Sequence, residues 1–191
     1  MAVLDWISPE SAFALDGERV RLRPPRGSDF AEWAELRRVS RHFLKPWEPT
    51  WPVDDLTRAA FRRRLSIYGR DLDLAQGYAF FVFDKADERL VGGISLRDVR
   101  RGVAQSGALG YWVGAPFARR GHTLDAVRTV SAFAFHRLGL HRVEAACLPE
   151  NEASRRLLLK AGFTEEGRAR AYLKIDGRWC DHLLFGMVNE G

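Results

Sequence analysis

The 191-residue chain reads as one α/β domain, of the α+β kind, in which about four helices flank a mixed, mostly antiparallel seven-stranded sheet. Three observations point there. Between residues 78 and 114 the strand-like runs YAFFVFD, RLVGGISLRDV and SGALGYWVG follow one another across the short connections DKADE and RRGVAQ, the spacing of an antiparallel meander. The last of these runs reaches RVEAACL (142–148) through a helical stretch, a crossover that makes those two strands parallel. Near the end, AYLKI and RWCDHLLFGM flank an Asp-Gly pair, the signature of a two-residue hairpin turn.

Taken in order, ERVRLRP alternates Val20 and Leu22 with arginines, a strand with one face on a core. SDFAEWAELRRVS places apolar residues at 30, 33 and 36 behind Ser28 as a candidate N-cap, so it reads as a helix. HFLKPWEPTWP holds three prolines and two tryptophans in eleven residues; proline removes backbone donors, and an irregular aromatic loop is expected. A second helix fits 54–68, and the meander follows. From about 123 to 138, Leu124, Val127, Val130, Ala134 and Leu138 share one helical face, with Gly139 suited to the position just past its end. NEASRRLLLKAGF is a helix stopped by Gly162, and the hairpin completes the chain. No repeat, low-complexity tract or Gly/Ser linker interrupts this order, so a single domain is expected over 1–191, with its core at about 18–188.

Composition narrows the function classes. At 46% hydrophobic and 29% charged residues the chain has the balance of a globular protein, not of a disordered one. MAVLDWISPESAF lacks the basic start and apolar stretch of a signal peptide, and no apolar run approaches the roughly 20 residues that span a bilayer, so a cytoplasmic protein without a membrane partner is expected. Cys147 and Cys180 form no CxxC and have no histidine pair at zinc spacing, which indicates neither a disulfide framework nor a metal site. The net charge of +5, with 26 of the 30 basic residues being arginine, favours an acidic partner.

One stretch says where that partner sits. In APFARRGHTLDAV a basic, glycine-containing loop runs from the parallel strand into a helix, whose first N–H groups are unpaired and carry partial positive charge. Ligands of open α/β sheets bind beyond the carboxyl ends of parallel strands, so loop 115–122 is a candidate anion site. Neither GxxxxGK[ST] nor GxGxxG occurs, which removes the usual sequence support for ATP, GTP and NAD.

GYWVGAPFARRGHTLDAV resembles the acetyl-CoA motif of the GNAT superfamily of N-acetyltransferases, a (Q/R)xxGx(G/A) loop between strand and helix, and NEASRRLLLKAGF is similar to the superfamily's following motif. FLKPWEP and YLKIDGRWCDHLL resemble the RimJ/RimL group, which acetylates the N-terminal alanine of ribosomal proteins. Ala118 stands where the loop usually has Gln or Arg, and Thr123 where it has Gly or Ala. Backbone N–H groups hold a diphosphate in such loops, and Arg119, Arg120 and His122 add charge beside Gly121.

The resemblance implies a GNAT sheet splayed between its parallel strands at the acetyl-CoA site. It implies a direct acyl transfer from acetyl-CoA to a primary amine, without a metal. The pantetheine arm would add to the strand edge near Trp112 and Val113, with the Val113 N–H facing the developing oxyanion. Asn151 matches a position that contacts cofactor or substrate, and Ser154 one that protonates the departing thiolate. On residue chemistry alone both also suit the capping of a helix start. The resemblance places the acceptor pocket at the loop of Trp47 and Glu48, where the tryptophan is either a lid over the core or part of that pocket and the glutamate either solvated or a partner for a cationic amine. No clear general base is present, since Tyr172 and Leu173 occupy the stretch where the family's second catalytic glutamate is expected. An α-amine with a pKa of about 7.7 to 8.0 is far more often neutral at pH 7 than a lysine at about 10.4, which favours a protein or peptide N-terminus as acceptor.

Two further classes stay open. An arginine-rich nucleic-acid-binding domain would suit the charge, but the arginines are dispersed and no recognition motif accompanies them; salt-dependent RNA binding without turnover would mark it. A CoA-binding sensor of the same fold, suggested by Ala118 and Thr123, would bind without consuming the thioester, and a small-molecule amine is the alternative acceptor. A homodimer is compatible with the sequence and is not specified by it.

Overall fold

A computed structural model of the chain describes residues 13–190. The N-terminal stretch read above for a leader lies outside these residues, apart from Phe13. Eight strands form one sheet: β1 (Leu15–Asp16), β2 (Val20–Arg23), β3 (Tyr78–Asp84), β4 (Leu90–Arg100), β5 (Ser106–Val113), β6 (Arg142–Cys147), β7 (Thr164–Ile175) and β8 (Arg178–Val188). Their spatial order is β1-β2-β3-β4-β5-β6-β8-β7, with every pair antiparallel except β5 and β6. Five helices accompany it: α1 (Phe30–Val39), α2 (Arg41–Leu44), α3 (Arg58–Asp73), α4 (His122–His136) and α5 (Glu152–Ala161).

The meander and the crossover are as the sequence implies; the terminal hairpin turns on Asp176 and Gly177, both at positive φ, but its first strand begins at Thr164 and not at the expected Ala171. The structure adds one strand and one helix. β1 is two residues long and exists by pairing Leu15 with Leu22 and Asp16 with Arg21, so nothing local announces it. The proline-rich segment is more ordered than expected: α2 and a 3-10 turn at Lys45–Trp47 fill its first half. Pro46 sits in the first turn of that 3-10 element, where its missing N–H costs no hydrogen bond.

Three helix boundaries also differ from expectation. Ser28 lies inside a 3-10 turn and caps nothing; its neighbour Asp29 accepts the Arg26 N–H (2.7 Å) and both terminal nitrogens of Arg23 (2.7 and 2.8 Å). α3 starts at Arg58 because Thr57 Oγ1 accepts the Ala60 N–H (3.2 Å). α4 ends at His136, and Gly139 follows its C-cap Arg137 by two residues, at φ 63°.

Alternation along β3 places helices on both faces of the sheet. Tyr78 and Phe80 meet Phe133 of α4 edge-on at 5.3 and 5.8 Å. Phe81, on the opposite face, stacks on Phe61 of α3 at 6.2 Å, and Phe61 in turn packs on Trp33 of α1 at 4.8 Å. α4 commits Val127, Val130 and Ala134 to the interior, and each fully buried valine stabilises the fold by about 1.5–3 kcal/mol. Its first turn is fastened to the sheet by Asp125, whose carboxylate accepts the N–H groups of Glu18 (3.2 Å), Arg19 (2.7 Å) and Val20 (3.1 Å). Among the described residues no helix is long and apolar enough to cross a membrane.

What matters for a site is where the parallel pair ends. The β5–β6 register runs from Ser106↔Arg142 to Leu109↔Ala145 and stops, although β5 continues to Val113 and β6 to Cys147. The two strands splay, leaving one edge of residues 110–113 unpaired within the sheet.

Candidate active site

The backbone at the splay is oriented by the ladder on its other side. The Gly114 N–H donates to Val91 O (2.8 Å), which makes Val91 and Gly114 a hydrogen-bonded pair. Such pairs alternate in an antiparallel ladder, so at the next position, Gly92↔Val113, the Val113 N–H points away from β4 and into the splay. Trp112 is directed to β4 instead, and its indole covers Gly93. A Cβ at residue 93 would lie 2.5 Å from the indole nitrogen, so only glycine admits the ring.

Beyond Val113 the chain enters the basic loop. Ala118 is extended, Arg119 takes the left-handed conformation at φ 63°, and Gly121, the N-cap of α4, takes it again at φ 90°. Two left-handed residues within three fold the backbone into a concave turn, the geometry in which successive N–H groups converge on an anion. The first helical bond is Asp125 N–H to Gly121 O (3.1 Å), so the N–H groups of His122, Thr123 and Leu124 precede it without helical acceptors. Arg119 and Arg120 are exposed on the outside of the loop. His122 is not: its ring is buried, with Nε2 3.0 Å from Asp84 Oδ2 and an edge contact to Phe117. Its side chain therefore serves the core, and only its backbone faces the loop. Asp84 is held below the usual carboxylate range, chiefly by the Ala86 N–H and secondarily by His122.

Across the splay stands the start of α5. Asn151 caps it, its Oδ1 accepting the Ser154 N–H at 3.0 Å, so the capping reading of this pair holds. The Ser154 hydroxyl has a further partner that sequence reasoning missed, the phenol of Tyr111 on β5, at 2.7 Å. Burial pushes the Tyr111 phenol well above its ordinary pKa, and pushes the neighbouring Cys147 thiol up as well. Tyr111 lies next to Trp112 in the very motif that was singled out, but its pairing with residue 154 spans two elements that no sequence spacing connects.

On the α1/α3 side the splay opens into a pocket of about 420 Å³, bounded by Trp51, Trp112, Arg37, Asp55, Tyr68 and the backbone of β4 and β5. Glu48 lines this pocket, but both of its oxygens are taken. They accept from Arg37 Nη1 (2.8 Å) and Nη2 (2.7 Å), and Oε2 also from Trp51 Nε1 (2.7 Å). Arg37 is itself sandwiched between the rings of Trp51 (4.0 Å) and Trp112 (4.9 Å). Trp47 does not line this pocket. It closes the 3-10 turn, 36% exposed, and the chain becomes extended at Glu48, which turns Glu48 and Trp51 inward instead. Asp55 Oδ1 accepts from Arg64 Nη2 at 2.8 Å, so each carboxylate of this wall is paired with an arginine. Among the described residues no group of three or more His, Cys, Asp or Glu side chains could hold a metal ion.

The family described as Acetyltransferase (GNAT) domain matches residues 19–164. The Bacillus subtilis protein named "Probable N-acetyltransferase YjcK" is 36% identical over 92% of this chain and 97% of its own length. The Escherichia coli ribosomal protein uS5-alanine N-acetyltransferase is 30% identical over 91% of this chain and 90% of its own. Among solved structures, Mycobacterium smegmatis RimJ in complex with CoA-disulfide superposes with a TM-score of 0.88 at 31% identity, over 93% of this chain and 88% of that one.

Proposed function

The chain belongs to the GNAT acetyltransferase family, whose members are acetyl-CoA-dependent acyltransferases, and from that membership we propose that it acetylates the N-terminal α-amine of a protein, a ribosomal protein above all. The observation that carries most weight is the free Val113 edge of β5, with the Tyr111–Ser154 hydroxyl pair on one side and an aromatic pocket on the other. A thioester laid along that edge would be held between a proton source and an acceptor channel.

In this reading the loop from Ala118 to Thr123 binds the diphosphate through its N–H groups, with Arg119 and Arg120 adding charge from outside. The pantetheine arm pairs with β5 as an added strand near Trp112. The acceptor nitrogen enters from the pocket and attacks the thioester carbon. The Val113 N–H stabilises the oxyanion, and Ser154 serves the departing sulfur while Asn151 keeps the start of α5 in place. Glu48 acts here through Arg37 and Trp51, shaping the pocket mouth. Both oxygens of Glu48 are engaged, and Asp55 is ion-paired with Arg64 through Oδ1 while its Oδ2 is buried without a partner, so each carboxylate of the pocket has its charge matched by an arginine. That favours an acceptor which is partly neutral near pH 7, as an α-amine is. The reaction would take place in the cytoplasm, where ribosomal proteins are made.

The test is mass spectrometry of acetylated products from acetyl-CoA and a matched pair of peptides, one with a free N-terminus and no lysine, the other N-terminally blocked with one lysine. From pH 6.5 to 9 the free α-amine should react faster, with alanine or serine preferred as first residue. Faster turnover of the blocked lysine peptide near pH 7, or of a polyamine over both, would move the protein to another acceptor class of the same family.

A further inference from the structure

A serine hydroxyl carries one hydrogen and two lone-pair directions, so Ser154 can assist a leaving sulfur only when that single hydrogen points into the splay. Nothing on its own helix arranges this. The Asn151 carboxamide oxygen is occupied with the Ser154 backbone N–H (3.0 Å), and the hydroxyl is left to whatever touches Oγ from other strands. Among the described residues one side chain is hydrogen-bonded to it, the Tyr111 phenol from β5 at 2.7 Å. Ser154 is the hydrogen-bond partner of the Tyr111 hydroxyl among the described residues. A part-buried phenol whose hydrogen finds no acceptor loses a hydrogen bond, and a phenol is a more acidic donor than an aliphatic alcohol. Both arguments assign the hydrogen of the 2.7 Å bond to Tyr111.

We propose that Tyr111 is a positioning residue for acetyl transfer: its phenol donates to Ser154 Oγ and so directs the serine's own hydrogen at the leaving sulfur. This rests on the reading that Ser154 serves that sulfur. The step balances with Tyr111 unchanged. The amine lone pair forms the C–N bond as the carbonyl pair moves to oxygen. That pair then returns, the C–S bond breaks, and its electrons leave on sulfur. Ser154 gives its hydrogen to sulfur and takes the surplus proton of the amine nitrogen on the lone pair that Tyr111 does not occupy. An amide and a thiol result. Tyr111 keeps its proton throughout, because burial disfavours the phenolate.

The experiment is a double-mutant cycle on kcat with the peptide that the wild type acetylates best, using Tyr111→Phe, Ser154→Ala and the double variant, alongside acetyl-CoA affinity by calorimetry and Tm. Ser154→Ala should lower kcat roughly 10²-fold, and Tyr111→Phe about tenfold, both with acetyl-CoA affinity retained. The double variant should be no slower than Ser154→Ala, because without the serine there is nothing left to orient. Unchanged kcat in Tyr111→Phe, or penalties that multiply in the double variant, would overturn the proposal while leaving Ser154 in its role. Full activity in Ser154→Ala would instead overturn the role of Ser154 itself. 3-Fluorotyrosine at position 111 keeps ring and hydroxyl and should hold kcat within about threefold. A loss as large as that of phenylalanine would show that ring shape matters and not the hydroxyl, and would also overturn the proposal.

Discussion

Glu48 and Arg37 form a fork in which two carboxylate oxygens face two guanidinium nitrogens at 2.8 and 2.7 Å, with Trp51 donating a third bond. Arg37 is only 6% exposed, so its charge depends on that partner. Removing one member of a buried pair is costly because the other stays behind uncompensated. Glu48→Gln should therefore cost about 3 kcal/mol of stability and raise the peptide KM, while acetyl-CoA affinity holds. A denaturant titration checks the first part, and a loss below about 1 kcal/mol would mean that stacking on Trp51 and Trp112 suffices for Arg37. Tyr111 makes a second prediction at this scale, from pH. Its folded pKa is raised by burial, so the folded state keeps a proton that the unfolded chain loses near pH 10. The native state then binds more protons than the unfolded one, and stability falls as pH rises past 10. Urea midpoints measured from pH 9 to 11 should decline less in Tyr111→Phe than in the wild type, and equal declines would refute the burial argument. Neither Glu48 nor Tyr111 could be understood from local sequence. Glu48 was found by its place in FLKPWEP, but its partner Arg37 lies eleven residues earlier, on α1.

Elements were legible where their signals were local. The strands of the meander begin and end within a residue or so of the apolar runs that mark them, because alternating burial is written into adjacent residues. Gly162 stops α5 at φ 105°, a conformation that glycine adopts at no steric cost, and this too is visible in the sequence. β1 and the cap formed by Asp29 were not visible, since each depends on a partner brought in by the fold. Asp125 is the sharpest case. It looks like an ordinary acidic residue in the first turn of α4, yet it receives three N–H groups from a turn more than a hundred residues earlier. Charged hydrogen bonds of this kind contribute about 1.5–3 kcal/mol each at best and overlap when they share one carboxylate. Asp125→Ala should destabilise the protein by about 3 kcal/mol and, by loosening the first turn of α4, weaken CoA binding. A thermal melt combined with CoA titration tests both, and a stability change below about 1 kcal/mol would show that β2 is held by its pairing with β3 alone.

At the scale of the whole molecule, the site exists because one sheet contains one parallel pair that stops pairing halfway. Backbone amides that lose their ladder partner exchange freely with solvent until something covers them. Hydrogen exchange resolved to single amides should find Val113 faster than its neighbour Trp112, with Val113 slowing on addition of CoA. Equal protection of the two in the free protein would contradict the splayed edge. The sequence by itself determined most of the strands and helices, the parallel crossover and the family, because periodicity, turn chemistry and contiguous motifs are properties of neighbouring residues. Only the tertiary structure decided which side chains are free to act. It turned His122 inward to Asp84, exchanged Trp47 for Trp51 on the pocket wall, engaged Glu48 with Arg37 and joined Tyr111 to Ser154. Each of these is a contact across the sheet or between distant segments, and such contacts follow from packing in three dimensions, which no spacing along the chain encodes.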